Sequence, residues 1–299
     1  MKRILITLAA AAIALIAADA KEKTQTFEFG DITSIEASAT YQVFVTQGNS
    51  DKVTVIYDDL EQSINLDINY SPAGKLSLGL KPFKYKNKRM IVLDNAASID
   101  NIRVYLEMDD ISTITLSGAS KISFTGDFTA STLYVGISGA ASVKGLNING
   151  KKLKASCSGA SSLELAGDFD DEADIDLSGA SKMTMKGNSA DMDADISGAG
   201  KLYWTGDFKE CKISCTGSSY AELDGQTVNG EYECSGASAI EAKDFINQTA
   251  YVELSGASKA KINATKELRY NVSRASKMTY YGDAALLNLN DDDNVVKGR

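Results

Sequence analysis

The chain contains no histidine at all, a single tryptophan, four cysteines, and fewer basic than acidic residues. Without histidine it has neither the commonest general base nor a serine triad, and nearly all zinc sites are ruled out. With 31 basic against 40 acidic residues and a net charge of -9, nucleic acid is not an expected partner. Long apolar runs are also scarce: beyond the first 20 residues nothing approaches the roughly 18 apolar residues of a membrane helix. The run that does exist, Ile4 to Ala18, follows Lys2 and Arg3 and ends in Ala18-Asp19-Ala20. That is the layout of a secretory signal peptide over residues 1–20, cleaved before Lys21. Its removal takes away two positive charges and one negative, leaving a mature chain at -10 that is not expected to span a membrane.

What the chain has in abundance is repetition. Ser-Gly-Ala-Ser or a near copy starts at Ser117, Ser138, Ser158, Ser178, Ser197, Thr216, Ser235, Ser255 and Ser273. The steps run from 18 to 21 residues, the mark of a solenoid that adds one coil per repeat. The residue before each turn is Leu116, Ile137, Cys157, Leu177, Ile196, Cys215, Cys234, Leu254 or Val272, apolar every time. Three before the turn stand Ile114, Val135, Ala155, Ile175, Ala194, Ile213, Tyr232, Val252 and Tyr270, with polar residues between the two columns. Period two, apolar in and polar out, is a strand. The alternation resumes after the turn at Ile122, Val143, Leu163, Met183 and their equivalents, and two residues on at Phe124, Leu165, Met185 and Trp204.

Each coil therefore supplies two short strands, joined by the small-residue turn at one corner and by Gly167-Asp168-Phe169 or its equivalent at the other. Equivalent strands pair in parallel from coil to coil, an all-β parallel β-helix, right-handed by the usual crossover preference. Glycine at the second turn position accommodates positive φ. The stacked serines are expected to satisfy corner backbone groups or one another, a structural role more than a ligand array. Cys157, Cys215 and Cys234 fall in the column before the turn and Cys211 further back on the same strand face. They are expected as small hydrophobes with free thiols, although Cys215 and Cys234 occupy adjacent coils. The organisation expected is a leader (1–20), strand-rich coils (21–110), regular repeats (111–285), and a cap with an acidic tail (286–299). Arg274 replaces the turn glycine in the last repeat, and Leu287, Leu289 and Asp291 to Asp293 read as the cap and tail.

The surface positions offer three candidate features. Asp174, Asp176, Asp193 and Asp195, with Glu231, Glu233 and Glu253, share the outer face of the strand before the turn. Stacked carboxylates repel unless screened or bridged, and calcium is the cation whose oxygen preference fits; no calcium-loop spacing is present, so the first four are weak calcium candidates and no other cofactor is implied. Tyr134, Tyr203, Tyr220 and Tyr251 read as exposed aromatics able to stack on sugars, spread over several coils and faces. The stretch from Lys81 to Met90, with Lys84, Lys86, Lys88 and Arg89 around Phe83 and Tyr85, is the most basic in the chain and reads as an exposed loop.

Upstream of the repeats, Ile35, Val43 and Val45 flank Ser38-Ala39-Thr40-Tyr41 in the phase of the later turns. This opening, with Phe29, Ile32, Val43-Phe44-Val45, Gln47-Gly48, Val53 and Val55, leads through Leu76-Ser77-Leu78 and Val104-Tyr105-Leu106 into Ile114-Thr115-Leu116-Ser117-Gly118-Ala119-Ser120. The pattern, over most of the mature chain, resembles the bacterial family known as putative auto-transporter adhesin, head GIN domain. The resemblance implies an exported right-handed β-helix whose biochemical role is not defined, and brings no catalytic residues with it. The membrane barrel of a true auto-transporter has no counterpart before Arg299.

The expectation is an exported, non-catalytic β-helix, periplasmic or on the cell surface, that binds a polysaccharide or envelope component through an extended face. A calcium-assisted polysaccharide lyase or glycoside hydrolase is the alternative, since two carboxylates at the right separation suffice for glycoside hydrolysis. The acidic pattern recurs too regularly to mark a unique catalytic pair.

Overall fold

The computed structural model describes residues 22–50, 52–58, 66–81, 83–85, 88–90, 102–273, 275–289 and 294–298. The leader, Lys86, Arg274 and the acidic run at 291–293 lie outside the described residues. Among those described there is no helix; the chain is a β-solenoid built on parallel ladders. Tyr134 to Ile137 lie on Thr113 to Leu116, Lys154 to Cys157 on those, Asp174 to Leu177 next, and so on through Arg269 to Val272. The columns read as inward are the core: Val135, Ile175, Ile213, Leu163, Met183, Leu202 and Trp204 are all buried. Each such side chain contributes about 1.5–3 kcal/mol by leaving water, and the columns run unbroken along the axis. Trp204 also satisfies its one polar atom, Nε1 donating to the Gly187 carbonyl at 2.8 Å.

The turn stacks as tightly as the strands. The amide of Ala160 donates to the carbonyl of Gly139 at 2.7 Å, and the same bond recurs from Ala140 to Gly118 and from Ala180 to Gly159. Gly159 has φ of +71°, and a Cβ there would sit 2.7 Å from the Gly139 carbonyl oxygen, so conformation and close approach both demand glycine. First-position serines bond the previous coil, Ser138 Oγ to Leu116 O at 3.3 Å. Fourth-position residues point inward, an orientation the sequence reading had not separated from the rest of the turn: Ser120, Ser161, Ser181, Ser219, Ser238 and Ser258 are buried. Ser238 Oγ reaches the Cys215 and Ser235 carbonyls, whereas the hydroxyls of Ser161, Ser181 and Ser219 find no such carbonyl among the described residues.

The second corner departs from the two-strand coil. Between inward Phe208 and inward Cys211 stand two exposed residues, Lys209 and Glu210, and between Phe169 and Ala173 stand Asp170, Asp171 and half-buried Glu172. Breaking the period of two by extra outward residues bends the strand, so a short third segment separates the two long ones. The ladder slips at the same place, between Gly150 and Lys152 and between Phe169 and Glu172.

At the N-terminal end the pairing changes direction. Ser34–Ala37 and Gln42–Gln47 form a coil under Thr113–Leu116 and Lys121–Thr125. Beneath it lie Lys75–Leu80 and Arg103–Met108, which are in turn covered by antiparallel strands: Leu66–Tyr70 on the first, Lys52–Asp58 and then Glu22–Glu28 on the second. The basic stretch read as a loop is an antiparallel hairpin, Phe83–Tyr85 on Lys88–Met90, in a sheet of its own. At the other end Ala285–Asn288 and Val295–Lys297 add partial strands in parallel, leaving Leu287 and Leu289 exposed instead of folded over the core.

All four cysteines are free and buried, Cys215 and Cys234 being register neighbours. Burial pushes the thiols of Cys157 and Cys211 up to about 12.

Candidate binding face

Because the turn sets the register, residues four before each turn form one outward column along the solenoid. In order these are Tyr134, Lys154, Asp174, Asp193, Lys212, Glu231, Tyr251 and Arg269. Tyr134 and Tyr251 thus share a face and a column, six strand spacings or about 29 Å apart. Counting back from the turns gives both the same place in the repeat, a signal present in the sequence that the expected spread over several faces does not capture. The other two candidates lie on the opposite side of the turn: the rings of Tyr203 and Tyr220 are 5.8 Å apart, with the Lys182 ammonium 4.8 Å from the Tyr203 centroid. The structure therefore brings Tyr203 and Tyr220 together and sets Tyr134 and Tyr251 apart from them on a second face.

Three hollows follow one another along the face of Tyr134 and Tyr251. The first, of about 390 Å³, is bounded by Tyr134, Gly136, Lys154, Ser156, Asp174 and Asp176. The next, of about 620 Å³, lies at the bend beside the column, among Asp170, Asp171, Asp191 and Lys209, and reaches the column at Asp193 and Lys212. The third, also about 620 Å³, is lined by Lys212, Glu231, Tyr251, Glu267 and Arg269.

The carboxylates are not a bare acidic ladder. Lys154 Nζ contacts Asp174 at 2.9 Å, Lys152 contacts Glu172 at 3.0 Å, and Lys212 contacts Glu231 at 3.5 Å while its charge also acts on Asp193. All are half-exposed, so these pairs set polarity more than stability. Asp176 is held above the usual carboxylate range by partial burial and by Asp174 and Asp195; Asp193 is raised by burial and Asp195, against the pull of Lys212. Among the described residues no group of three or more acidic or cysteine side chains is placed to hold a metal ion. Asp174 has a lysine where a bridging calcium would need open oxygen ligands.

The phenols differ as well. Tyr251 donates to Glu253 at 3.0 Å, which raises its pKa, and Tyr220 donates to Glu222 at 2.8 Å, its pKa being raised first by burial and then by that bond. Tyr134, half-exposed, makes no such side-chain bond among the described residues. Of the basic candidates, Lys84, Lys88 and Arg89 fall in the hairpin, off the solenoid sheet that carries the tyrosines. Lys86 lies outside the described residues.

No helix among the described residues is long and apolar enough to cross a membrane. No protein of curated function matches the chain. Among solved structures it is similar to a putative adhesin from Parabacteroides distasonis, with 15% identity over 93% of this chain and 97% of that one and a TM-score of 0.45. A putative adhesin from Parabacteroides merdae shares 15% over 93% and 94%, TM-score 0.42. A putative lipid binding protein from Parabacteroides distasonis shares 12% over 94% and 98%, TM-score 0.40. The sequence profile of one family matches residues 31–187 and again 171–284, nearly the whole solenoid. With its repeated turns, its parallel ladders and this match in agreement, the chain belongs to the family described as putative auto-transporter adhesin, head GIN domain.

Proposed function

We propose that this protein is exported and acts as a non-catalytic adhesin or envelope-associated binder, holding an extended ligand along the outer face of the strands before the turn. The observation that carries the reading is the single column from Tyr134 to Tyr251, with a hollow at each end and one between. An exposed tyrosine at one end, a partly buried one at the other and charges of both signs between them fit a long, polar polymer better than a compact small molecule. The absence of histidine and the pairing of carboxylates with lysines fit binding without bond cleavage.

Retention of the full chain on isolated envelopes and purified surface polysaccharide of the producing bacterium tests the reading. Wild-type protein is expected to be retained, Tyr134→Ala with Tyr251→Ala to elute, and no reducing ends to be released. Equal retention of wild type and double variant would remove this face from the function. Protease shaving of intact cells, with immunodetection, distinguishes surface from periplasm.

A further inference from the structure

Gly136 is a glycine that the fold does not require. Among all 24 glycines of the chain it is the one whose added Cβ would meet nothing within 4 Å, and it does not have positive φ. It sits inside the strand Asp127–Ile137, where glycine costs roughly 0.5–1 kcal/mol relative to a residue with a side chain. It is also the sole glycine two residues before a turn; that column elsewhere holds Thr115, Ser156, Asp176, Asp195, Ser214, Glu233, Glu253 and Asn271. Other strand glycines have a structural reason: Gly230, for example, makes room for Asn247 and the ring of Tyr232.

What the missing side chain opens is the floor of the first hollow. Thr115 stands one coil before Gly136 and Ser156 one coil after. The Tyr134 ring rises beside the gap, 50% exposed, and the Lys154–Asp174 pair closes the far side. We infer that this notch is a subsite for one neutral pyranose unit of a polysaccharide, its ring stacked on Tyr134 over Gly136 and its hydroxyls bonded by Thr115, Ser156 and the Lys154–Asp174 pair. This deepens, and rests on, the binding face proposed above. A sugar ring offers an apolar face to the tyrosine and hydroxyls that both donate and accept, matching a wall of hydroxyls and paired charges. Asp176 at the margin leaves the hollow net negative, which disfavours a uronate or phosphate. A hollow of about 390 Å³ is in the range of small-ligand sites.

The test uses the full chain with neutral gluco-, manno- and galactotrioses, and a galacturonate triose for contrast, followed by ligand-observed NMR. Trioses are shorter than the column and report one hollow. Gly136→Thr fills the notch with the residue the column already holds at Thr115. It is expected to leave the melting temperature equal or higher while affinity for a neutral triose falls at least tenfold. Tyr134→Ala, a surface change, serves as the second variant and is expected to lose binding similarly; Tyr251→Ala is expected to keep it. Unchanged triose binding by Gly136→Thr and Tyr134→Ala, or preference for the acidic triose, overturns the subsite. No triose binding with persisting envelope retention overturns the subsite alone, and protease-sensitive retention would point to a protein ligand instead. Loss of both overturns the subsite and the binding face together.

Discussion

The hydroxyl of Tyr232 donates to Oδ1 of Asn247 at 2.7 Å in the interior of the solenoid. Tyr232 occupies a column otherwise held largely by Ile, Val and Ala, and fits because Gly230, the next inward position, has no side chain. Asn247 completes the cluster by donating to the carbonyls of Phe245 and Asn263. Tyr232→Phe removes the donor and leaves a buried amide oxygen without it, at a cost of about 1–3 kcal/mol. The urea midpoint should fall with an unchanged slope; an unmoved midpoint would show that the cluster contributes nothing.

Ala39 holds the turn position that glycine fills in the later coils, and it does so with φ of +68°. An L-side chain in that region is strained by about 1 kcal/mol, so Ala39→Gly should stabilise the protein by roughly that amount. Gly159→Ala should do the opposite and more, since its Cβ would also meet the Gly139 carbonyl oxygen. Paired denaturant curves decide the matter, and a stabilising Gly159→Ala would contradict the stacked-turn geometry.

Asp176 and Asp193 have carboxyl pKa values raised in the folded state. A raised carboxyl pKa favours the folded form at low pH, and that contribution is lost as pH rises through the folded value. Asp176→Asn should therefore raise the melting temperature near pH 7. The gain should shrink as the pH falls through the raised pKa and disappear below the ordinary value of 3.8, where the wild-type carboxyl is already neutral. A pH-independent gain would assign it to packing instead.

The four buried cysteines should resist a thiol reagent in the folded protein and react together on unfolding, because the thiols of Cys157 and Cys211 are both buried and poorly ionised. Intact mass after alkylation under denaturing, non-reducing conditions should show four adducts. Two adducts would mean that Cys215 and Cys234 are bridged.

Much of this architecture was legible because a parallel solenoid repeats its environment at each coil. The column before the turn, from Leu116 to Val272, was identifiable as core from its composition, and the structure buries its members. The shared column of Tyr134 and Tyr251 was equally available, both lying four residues before a turn, but it emerges only when positions are counted from the turn instead of judged by spread. Gly136 was harder to see. A glycine in a strand looks like a bulge until the space around its Cβ is known.

The sequence by itself determined the coil length, the inward columns and the turn glycines, because each depends on local alternation and on contacts between like positions one repeat apart. Only the tertiary structure decided the antiparallel pairing of Lys52–Asp58 with Arg103–Met108, the bend after Phe208 and the hollow over Gly136. Pairing at a sheet's end joins segments with no repeat to align them, so it depends on which edges meet in space. A hollow depends on the side chains of three neighbouring coils at once, and no single repeat contains that information.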